Sequence, residues 1–589
     1  MEKIESKLIK IEWNKIFLHL DIRVDCDKTN LRFILVNNEN IAVTEFDLAD
    51  VHEDIYHVVL NITNSGINRC IENGTYRLLI TDDEEVYSLM GYSGTSEYLM
   101  SMNACFVVNS ENHAYTVGFF LPEEDDEPIV NIRFQYTQNT SMSFMPLLSE
   151  EKTEKQFFLS SFAIKIKAKL KKAISRDYPK KIYAHINKHQ FREDGNNILF
   201  MSDNSERLSE NLQCVYDRMC ERGLDKQYNI EFSLINRSVA CGSLEKLHRN
   251  RKKLKALSRA NVIVLDDAVS ILNWLILDKR QKVVQVWHSG AGFKCIGYAR
   301  WGALNAPGCF TNHRQYTYFV SDSEELAEDW AILSGILKEQ VIPTGMPRLD
   351  KFLDPNHKAD FIKEFEARHP SFKDKKIILF APTYRGANQA KAYYPYAQID
   401  FSRLYDFCKE NDYIVLFKMH PFVLEPVPIE ENQKDIFFDF TDYKSINDLF
   451  YVVDLMITDY SSSMYEYSLV NKPMLAYAFD EAQYSSAHGF PRPYEENIPG
   501  KLCRSFDELM EALMNQDYQY EKHDKYVKKY FDRVDTNNSD RVIDWLIVGD
   551  LPEYYQKRLQ DKLDRVSQIR GKSYAELLQL LESSLKREL

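Results

Sequence analysis

Short apolar segments alternate with helical patterns from about residue 195 to about residue 515, and this alternation restricts the fold of the 589-residue chain more than any other feature. Strands that alternate with helices form parallel sheets with helices on both faces. We therefore predict an α/β fold with two Rossmann-like halves, over residues 191–350 and 351–520, that face a cleft. The predicted strands are 197–201, 228–235, 261–265, 282–287, 318–320 and 340–343 in the first half, and 376–380, 413–418, 452–457 and 472–477 in the second.

Polar side chains follow several of these predicted strands. His288 follows a strand of the first half, and Arg385 and His420 follow two strands of the second half. Ligands of such sheets bind beyond the carboxyl ends of the strands. Each residue alone has a structural alternative: a hydrogen-bonded histidine, a surface ion pair or a strand cap. Together they favour one anionic ligand between the halves.

The stretch V-V-D-L-M-I-T-D-Y-S-S-S-M-Y-E-Y at residues 452–467 predicts a strand, a tight polar turn and a helix that opens at Ser461, Ser462 and Ser463. Serine is a favoured helix cap, and the free N–H groups and the dipole of a first helical turn attract anions. The stretch therefore predicts a phosphate-binding turn. The alternative is a well-capped helix without a ligand.

Three other regions flank or connect the predicted halves. Residues 1–150 carry closely spaced strand patterns and predict a β-rich, sandwich-like accessory domain. Residues 151–190 predict a basic amphipathic linker, and residues 521–589 predict helices. The last helical pattern has surface packing and an oligomer contact as alternatives.

The linker reverses the charge of the rest of the chain. Eight Lys or Arg lie between Lys165 and Lys181, and Phe162, Ile166, Leu170 and Ile174 form an apolar stripe. A basic amphipathic helix over 162–176 can lie on an anionic membrane surface. An ordinary surface helix is an equal alternative.

Composition excludes several classes of protein. The net charge of −14 argues against a nucleic-acid partner. The sequence has no apolar run long enough to span a bilayer and no signal-peptide core at its start, and its ten cysteines form no C-x-x-C pair. We therefore expect a cytoplasmic protein with reduced thiols, and neither a metal site nor a cofactor.

Five ordered motifs resemble the CDP-glycerol glycerophosphotransferase family, the transferases of teichoic acid and related capsule polymers. The motifs are W-H-S-G-A-G-F-K-C-I-G, P-T-G-M-P-R-L-D, I-L-F-A-P-T-Y-R-G, K-M-H-P and I-T-D-Y-S-S-S-M-Y-E-Y, within about residues 195–520. The resemblance implies a GT-B fold, a CDP-activated polyol as donor and peripheral attachment to the inner face of a bacterial membrane. The W-H run is more similar to relatives that move ribitol phosphate than to those that move glycerol phosphate.

The resemblance also implies roles for individual residues. His288 would be the catalytic base on the acceptor side, over 191–350, and the second half would bind the CDP donor. The expected donor-binding residues are Arg385, His420, Ser461, Ser462, Thr383 and Asp459, followed by Lys294, Arg348, Asp350 and His488. The chain departs from the family's usual pattern at Glu466, where Asp is common, and at His488-Gly489, where Arg-Gly is usual.

These residues suit transfer of a glycerol or ribitol phosphate to a hydroxyl of a lipid-linked or oligomeric polymer. A neutral histidine serves as base, while a cation, a histidine donor and a helix N-terminus stabilise the departing CMP. One alternative is a GT-B glycosyltransferase that uses a nucleotide sugar for a cell-surface polysaccharide. Another is a polymer-binding scaffold without activity, and the presence of His288 argues against that reading.

Overall fold

The computed structural model describes most of the chain. The described residues are 5–25, 31–65, 70–81, 86–89, 91–93, 99, 101–108, 113–121, 130–138, 177–236, 243–290, 294–301, 306–308, 312–386, 391–572 and 576. The predicted amphipathic segment at 162–176 and most of the last predicted helix lie outside these residues. No helix among the described residues is both long enough and apolar enough to cross a membrane.

The N-terminal region consists of two antiparallel sheets, with strand orders β1-β2-β6-β5 and β4-β3-β7-β11-β10-β9, β8 pairing with β7. Alternate residues of β2, including Leu18 and Leu20, are buried with Leu35 and Leu78 of the second sheet in one core. This confirms the predicted β-rich N-terminal region. The strands are β1 Glu5–Asn14, β2 Phe17–Asp25, β3 Arg32–Asn37, β4 Ala42–Glu45, β5 Asp47–His52, β6 Ile55–Asn61, β7 Gly74–Thr81, β8 Val86–Ser88, β9 Ala104–Val108, β10 His113–Phe120 and β11 Asn131–Gln138.

A six-stranded parallel sheet follows, in the order β13-β12-β14-β15-β16-β17. Strands β12 and β14–β17 are almost wholly buried, as expected for strands covered on both faces, whereas the edge strand β13 has one buried residue, Ser233. The strands are β12 Asn197–Ser202, β13 Asn229–Leu234, β14 Val262–Leu265, β15 Lys282–Gln285, β16 Tyr318–Val320 and β17 Val341–Ile342. The helices are α1 Tyr178–Gln190, α2 Glu210–Glu221, α3 Ser243–Arg259, α4 Ala327–Ser334, α5 Arg348–Leu353 and α6 Pro355–Arg368.

A second six-stranded parallel sheet has the order β20-β19-β18-β21-β22-β23. The mixed α/β fold with parallel sheets is therefore confirmed. The strands are β18 Lys376–Phe380, β19 Tyr413–Phe417, β20 Phe437–Asp439, β21 Leu455–Thr458, β22 Met474–Tyr477 and β23 Lys501–Cys503. The helices are α7 Phe401–Glu410, α8 Ile446–Leu449, α9 Ser463–Tyr467, α10 Glu481–His488 and α11 Phe506–Asn515.

The C-terminal helices connect all three sheet regions. They are α12 Tyr520–Tyr530, α13 Asn538–Arg541, a π-helix over Val542–Val548 and α14 Glu553–Ile569. Tyr530 contacts the ring of Tyr465 in α9, and the π-helix packs into the core of the first parallel sheet. Ile569 of α14 is buried against the second N-terminal sheet. The helices predicted at 526–531 and 542–547 are thus present and span both parallel sheets.

Candidate active site

His288 lies just beyond β15, and neighbouring side chains hold its backbone in place. Asn211 Nδ2 donates to the Trp287 carbonyl at 2.8 Å, and Arg348 Nη1 donates to the His288 carbonyl at 2.8 Å. Trp287 has a φ of 51°, a left-handed conformation that bulky residues adopt only when their surroundings require it. The packing around this turn therefore fixes the direction of the histidine.

The ring of His288 has a defined proton position. Its Nδ1–H donates to the Asp266 carbonyl at 3.3 Å, because a carbonyl can only accept. The ring stacks on Trp287 at a centroid distance of 4.6 Å, and the side chain is 52% exposed. In the neutral ring Nε2 therefore carries the lone pair, which is the form a general base requires.

The W-H-S-G motif contacts the D-Y-S-S-S-M-Y-E-Y motif directly. A Cβ on buried Gly290 would lie 2.0 Å from Cε1 of Tyr465, so only glycine fits against this ring. Arg348, which holds the His288 carbonyl, also forms an ion pair with Glu466. Burial raises the pKa of Glu466, and Arg348 opposes that shift. Two motifs from different parallel sheets therefore form one packed unit.

Asp322, which follows β16, is buried behind this contact. Its carboxyl accepts a hydrogen bond from the Met346 N–H at 2.6 Å and lies 3.0 Å from the Tyr465 hydroxyl. That hydroxyl also lies 2.9 Å from the Tyr530 carbonyl, which can only accept. Burial raises the pKa of Asp322 to about 7. The Tyr465 hydroxyl has one proton, so it cannot donate to both oxygens. All these hydrogen bonds form when the Asp322 carboxyl is protonated, because Asp322 then donates to Tyr465 and Tyr465 donates to the Tyr530 carbonyl.

Arg385 lies beyond β18 but has few N–H groups left for a ligand. Its Nε and Nη2 donate to Asp480 at 2.6 and 2.9 Å, Nη2 also donates to Asp459 at 2.9 Å, and Nη1 donates to the Thr383 carbonyl at 2.6 Å. The side chain is only 8% exposed, and it contacts the ring of Tyr460. Arg385 thus ties three strand-end loops together.

Asp459 fixes the turn that it begins. One carboxylate oxygen accepts from the N–H groups of Thr383 and Tyr460 at 2.7 and 2.6 Å, and the other pairs with Arg385. The hydroxyl of Thr383 is buried, with no hydrogen-bond partner among the residues that the structure describes. It remains available to a ligand.

Lys294 is a cation without a counterion. Its Nζ makes no hydrogen bond or ion pair with the described residues, and it lies 5.6 Å from the centre of the Tyr484 ring. Burial, together with the charges of Arg385 and Arg300, lowers the pKa of Lys294 to about 8, although Asp459 opposes this. An anion bound beside Lys294 would relieve this repulsion.

Two histidines share the positive environment of Lys294. Burial and then the charges of Lys294 and Lys418 lower the pKa of His420 to about 4, so this ring is neutral near pH 7. Its Nδ1 accepts from the Phe422 N–H at 3.2 Å, so Nε2 carries the proton, and no described group accepts from it. Burial and the charge of Lys294 also lower the pKa of His488, which stacks on Tyr484 at 4.3 Å.

The serine-rich turn differs from the prediction in one respect. Helix α9 begins at Ser463 rather than at Ser461, and it is five residues long. Ser462 stands at the N-cap but already has helical backbone angles, whereas a capping side chain needs an extended backbone, so it makes no capping hydrogen bond. The Ser461 hydroxyl lies 2.8 Å from that of Ser463, while the Ser462 hydroxyl makes no hydrogen bond with the described groups.

Asp350 is the predicted site residue that lies apart from this group. Its oxygens accept from the Asn538 N–H, the Asn538 side chain and the Ser539 N–H at 2.7–2.8 Å. It therefore fastens α13 to α5, and its acceptor capacity is largely used.

Several contributing residues are absent from the sequence predictions. Asp480 orients Arg385, and the same strand-end rule could have found it, because it follows β22. Tyr384 and Phe422 place their rings 4.7 and 4.5 Å from that of His420 and form an aromatic wall. Among the described residues, no cluster of three His, Cys, Asp or Glu side chains is arranged to hold a metal ion.

Comparisons with known proteins agree with the five motifs. The sequence profile of a family described as CDP-Glycerol:Poly(glycerophosphate) glycerophosphotransferase matches residues 182–548. The chain is 33% identical to the teichoic acid ribitol-phosphate polymerase TarK of Staphylococcus aureus, over 83% of this chain and 93% of that protein. It is 38% identical to the ribitol-phosphate polymerase TarL of the same organism over 59% of this chain, and the match spans 62% of TarL.

A solved structure of the wall teichoic acid polymerase TagF aligns with 69% of this chain and 99% of its own. The TM-score is 0.48 and the sequence identity is 21%.

Proposed function

The chain belongs to the CDP-glycerol:poly(glycerophosphate) glycerophosphotransferase family, and from this we propose that it transfers a polyol phosphate from a CDP-activated donor to a hydroxyl of a teichoic-acid-like or capsular polymer. CMP is the second product. The observation that carries the proposal is the cation of Lys294, which lies among His420, His488 and the strand ends of the second parallel sheet and has no counterion in the described part of the chain.

In this proposal the two parallel sheets are the halves of a GT-B fold, and the reaction takes place in the cleft between them. Three contacts between the halves support this arrangement. Gly290 packs on Tyr465, Arg348 pairs with Glu466, and the Cys295 N–H donates to the Gly489 carbonyl at 3.2 Å. The last contact holds Lys294 next to His488.

The donor diphosphate binds at Lys294, the Nε2–H of His420 and the hydroxyls of Ser461, Ser462 and Thr383. Arg385 contributes mainly by holding the surrounding loops, since most of its N–H groups bond to Asp459, Asp480 and Thr383. The rings of Tyr384 and Phe422 offer a stacking surface for the cytosine base.

His288 is the base of the transfer. Its Nε2 accepts the proton of the attacking acceptor hydroxyl, and the hydroxyl oxygen forms a bond to the phosphorus that carries the polyol. The bond from that phosphorus to the oxygen of CMP breaks, and the negative charge that develops on CMP is stabilised by Lys294 and His420. The proton balance closes when His288 later releases its proton to water.

We infer that ribitol phosphate is the polyol, from the names of the two polymerases reported above. The two polymerases named above are both described as ribitol-phosphate polymerases, and one of them aligns with most of the chain. The acceptor is a lipid-linked polymer, and we place the protein at the inner face of the membrane, attached through residues 162–176.

Product analysis tests the proposed function. The full chain is incubated with a teichoic acid acceptor and with CDP-ribitol, CDP-glycerol or UDP-N-acetylglucosamine, and released nucleotides are separated by chromatography. We expect CMP from CDP-ribitol and less from CDP-glycerol. Release of UDP from the nucleotide sugar, with no CMP from either CDP-polyol, would instead support the glycosyltransferase alternative.

A further inference from the structure

The turn between β1 and β2 carries a lysine where glycine or asparagine is usual. Asn14 pairs with Phe17, so Lys15 and Ile16 form a two-residue turn. Lys15 has a φ of 57°, which lies in the left-handed region. Such turns favour Asn and Gly because other side chains are disfavoured there. The turn itself does not require a lysine here, so the contacts of the Lys15 side chain are of interest.

Lys15 lines a groove between the N-terminal region and the second parallel sheet. The groove has a volume of about 580 Å³, and residues 481–504 form its other wall. The rings of Phe490 and Tyr494 stack at 5.0 Å and give it a flat apolar surface. Glu481 adds a carboxylate and Ser485 adds a hydroxyl to the wall of the groove. Aromatic faces beside such polar groups suit a chain rich in hydroxyls.

The cations of this groove differ in whether they are neutralised. Arg492 pairs with Glu325 and Asp329 at 2.7 Å. Arg504 pairs with Glu481 and Glu495 at 3.0 and 2.9 Å. Lys15 forms no ion pair with any described carboxylate, and its side chain hydrogen-bonds to the thiol of Cys295. Its charge is therefore not neutralised and remains available to an anionic group of a ligand.

The groove adjoins the proposed donor site through one helix and one loop. In α10, Glu481 and Ser485 line the groove, while Tyr484 and His488 contact the surroundings of Lys294. Cys295, which bonds to Lys15, is the residue next to Lys294. A ligand in the groove can therefore extend toward the donor site.

The hairpin is held firmly over the first parallel-sheet region. The ring of Trp13 packs on Phe106, and Phe106 packs on Trp301, at centroid distances of 5.5 and 5.7 Å. Arg314 bonds to the Thr63 carbonyl and lies 3.1 Å from Cys70 Sγ. These contacts fix Lys15 relative to Lys294.

We propose that this groove binds internal repeats of the acceptor chain, with Lys15 contacting a phosphodiester and the aromatic and carboxylate groups contacting polyol hydroxyls. The inference rests on the proposed function, since the ligand class follows from it. It gives the N-terminal region a part in acceptor selection: an acceptor with several repeats reaches Lys15, whereas a single-repeat acceptor does not.

The test uses Lys15→Asn in the full chain. Asparagine suits the left-handed turn, so the hairpin is preserved while the charge is lost. Lys15→Arg keeps the charge, and Lys7→Asn, at an exposed position of β1, removes a lysine outside the groove. For each variant we measure KM and kcat with CDP-ribitol and with ribitol-phosphate oligomers of one repeat and of many repeats. We also measure binding of the long oligomer by calorimetry without donor.

For Lys15→Asn we expect the KM for the long acceptor to rise about tenfold, as for loss of a charged hydrogen bond. The KM for the single-repeat acceptor and for the donor should stay unchanged, and Lys15→Arg and Lys7→Asn should resemble the wild type. Equal effects on both acceptor lengths, or no effect on either, would overturn the inference. If the wild type released no CMP, the proposed function would fail, and the inference would then stand or fall on whether Lys15→Asn weakens calorimetric binding of the long oligomer.

Discussion

At the scale of single residues, one hydrogen bond sets the proton position of His288. Its Nδ1–H is held by the Asp266 carbonyl, so Nε2 is free to accept a proton. We expect His288→Gln to lower kcat by about 10²–10⁴-fold, the usual cost of losing a general base. CMP affinity by calorimetry should not change, and His52→Gln, at an exposed position, is the control. Turnover within a few-fold of wild type would remove His288 from the mechanism.

Lys294 and Arg385 are both cations of the candidate site, but their surroundings predict opposite defects. Lys294 pairs with none of the carboxylates that the structure describes, so Lys294→Met should lower CMP affinity about 10- to 100-fold with little change in stability. Arg385→Met leaves two carboxylates uncompensated and should lower the free energy of unfolding by about 3–5 kcal/mol. Calorimetry and thermal unfolding separate the two. Equal loss of CMP affinity without destabilisation in both variants would contradict the assignment.

The pKa of Lys294 adds a pH signature to this prediction. Because the folded, ligand-free protein has a pKa of about 8 at this residue, the cation is lost as pH rises through 8. CMP affinity in the wild type should therefore fall between pH 7 and 9, and the fall should be smaller in Lys294→Met. A pH profile identical in the two proteins would exclude a direct contact between Lys294 and the nucleotide.

The raised pKa of Asp322 predicts that the free energy of unfolding depends on pH. Its folded pKa of about 7 lies above the ordinary value of 3.8, so between these values the folded chain holds a proton that the unfolded chain has released. The free energy of unfolding must then fall as pH rises through this range and level off above it. Asp322→Asn mimics the protonated form and should show a smaller fall. The difference between the two urea-unfolding series isolates this residue from other titrating groups.

At the scale of secondary-structure elements, the contact between the loop after β15 and helix α9 holds the two parts of the candidate site together. Gly290→Ala should place a methyl group 2.0 Å from Cε1 of Tyr465, so that the ring or the backbone must shift. We expect a loss of about 1–3 kcal/mol in the free energy of unfolding, as for other overpacked cores, together with lower kcat. Gly118→Ala is the matched control, because its Cβ would meet Asn103 at an ordinary 3.6 Å. A fully stable and active Gly290→Ala protein would show that this junction is not tightly packed.

Elements with strong local signals were predictable from the sequence. The strand predicted at 376–380 has the bounds of β18, and the strand predicted at 472–477 contains β22, because buried parallel strands read as continuous apolar runs. Contacts between distant residues were not. The engagement of Arg385 by Asp480 and the reach of Lys15 toward residues 481–504 depend on tertiary packing, which local patterns do not encode.

At the scale of the whole molecule, the proposed attachment to a membrane would have to overcome a net charge of −14. Helix α1 has exposed Lys180, Lys181 and Lys188 and follows the basic segment directly. We expect replacement of the segment's lysines by glutamate to release the protein from anionic vesicles, while activity on a short soluble acceptor survives. Each lysine contributes on the order of 1 kcal/mol at such a surface. The replaced residues are Lys165, Lys167, Lys169, Lys171 and Lys172.

Sedimentation with vesicles at low and high salt measures this release. Glutamate replacements of Lys373, Lys375 and Lys376, in the second parallel-sheet region, are the control. Binding that ignores both the charge reversal and the salt would exclude this segment as the attachment site.

The packing of Ile569 sets the order in which the molecule can be completed during its synthesis. Ile569 fills an apolar cluster with Ile34, Val36, Ala42 and Leu79, and Arg565 bonds to Glu45 across 520 positions of sequence. A ribosome adding about 5–20 residues per second needs roughly half a minute to two minutes for that interval. Throughout that time the second N-terminal sheet lacks the side chain that covers Ile34, Val36, Ala42 and Leu79, so we expect a chain that stalls before residue 569 to expose this apolar cluster to chaperones and proteases.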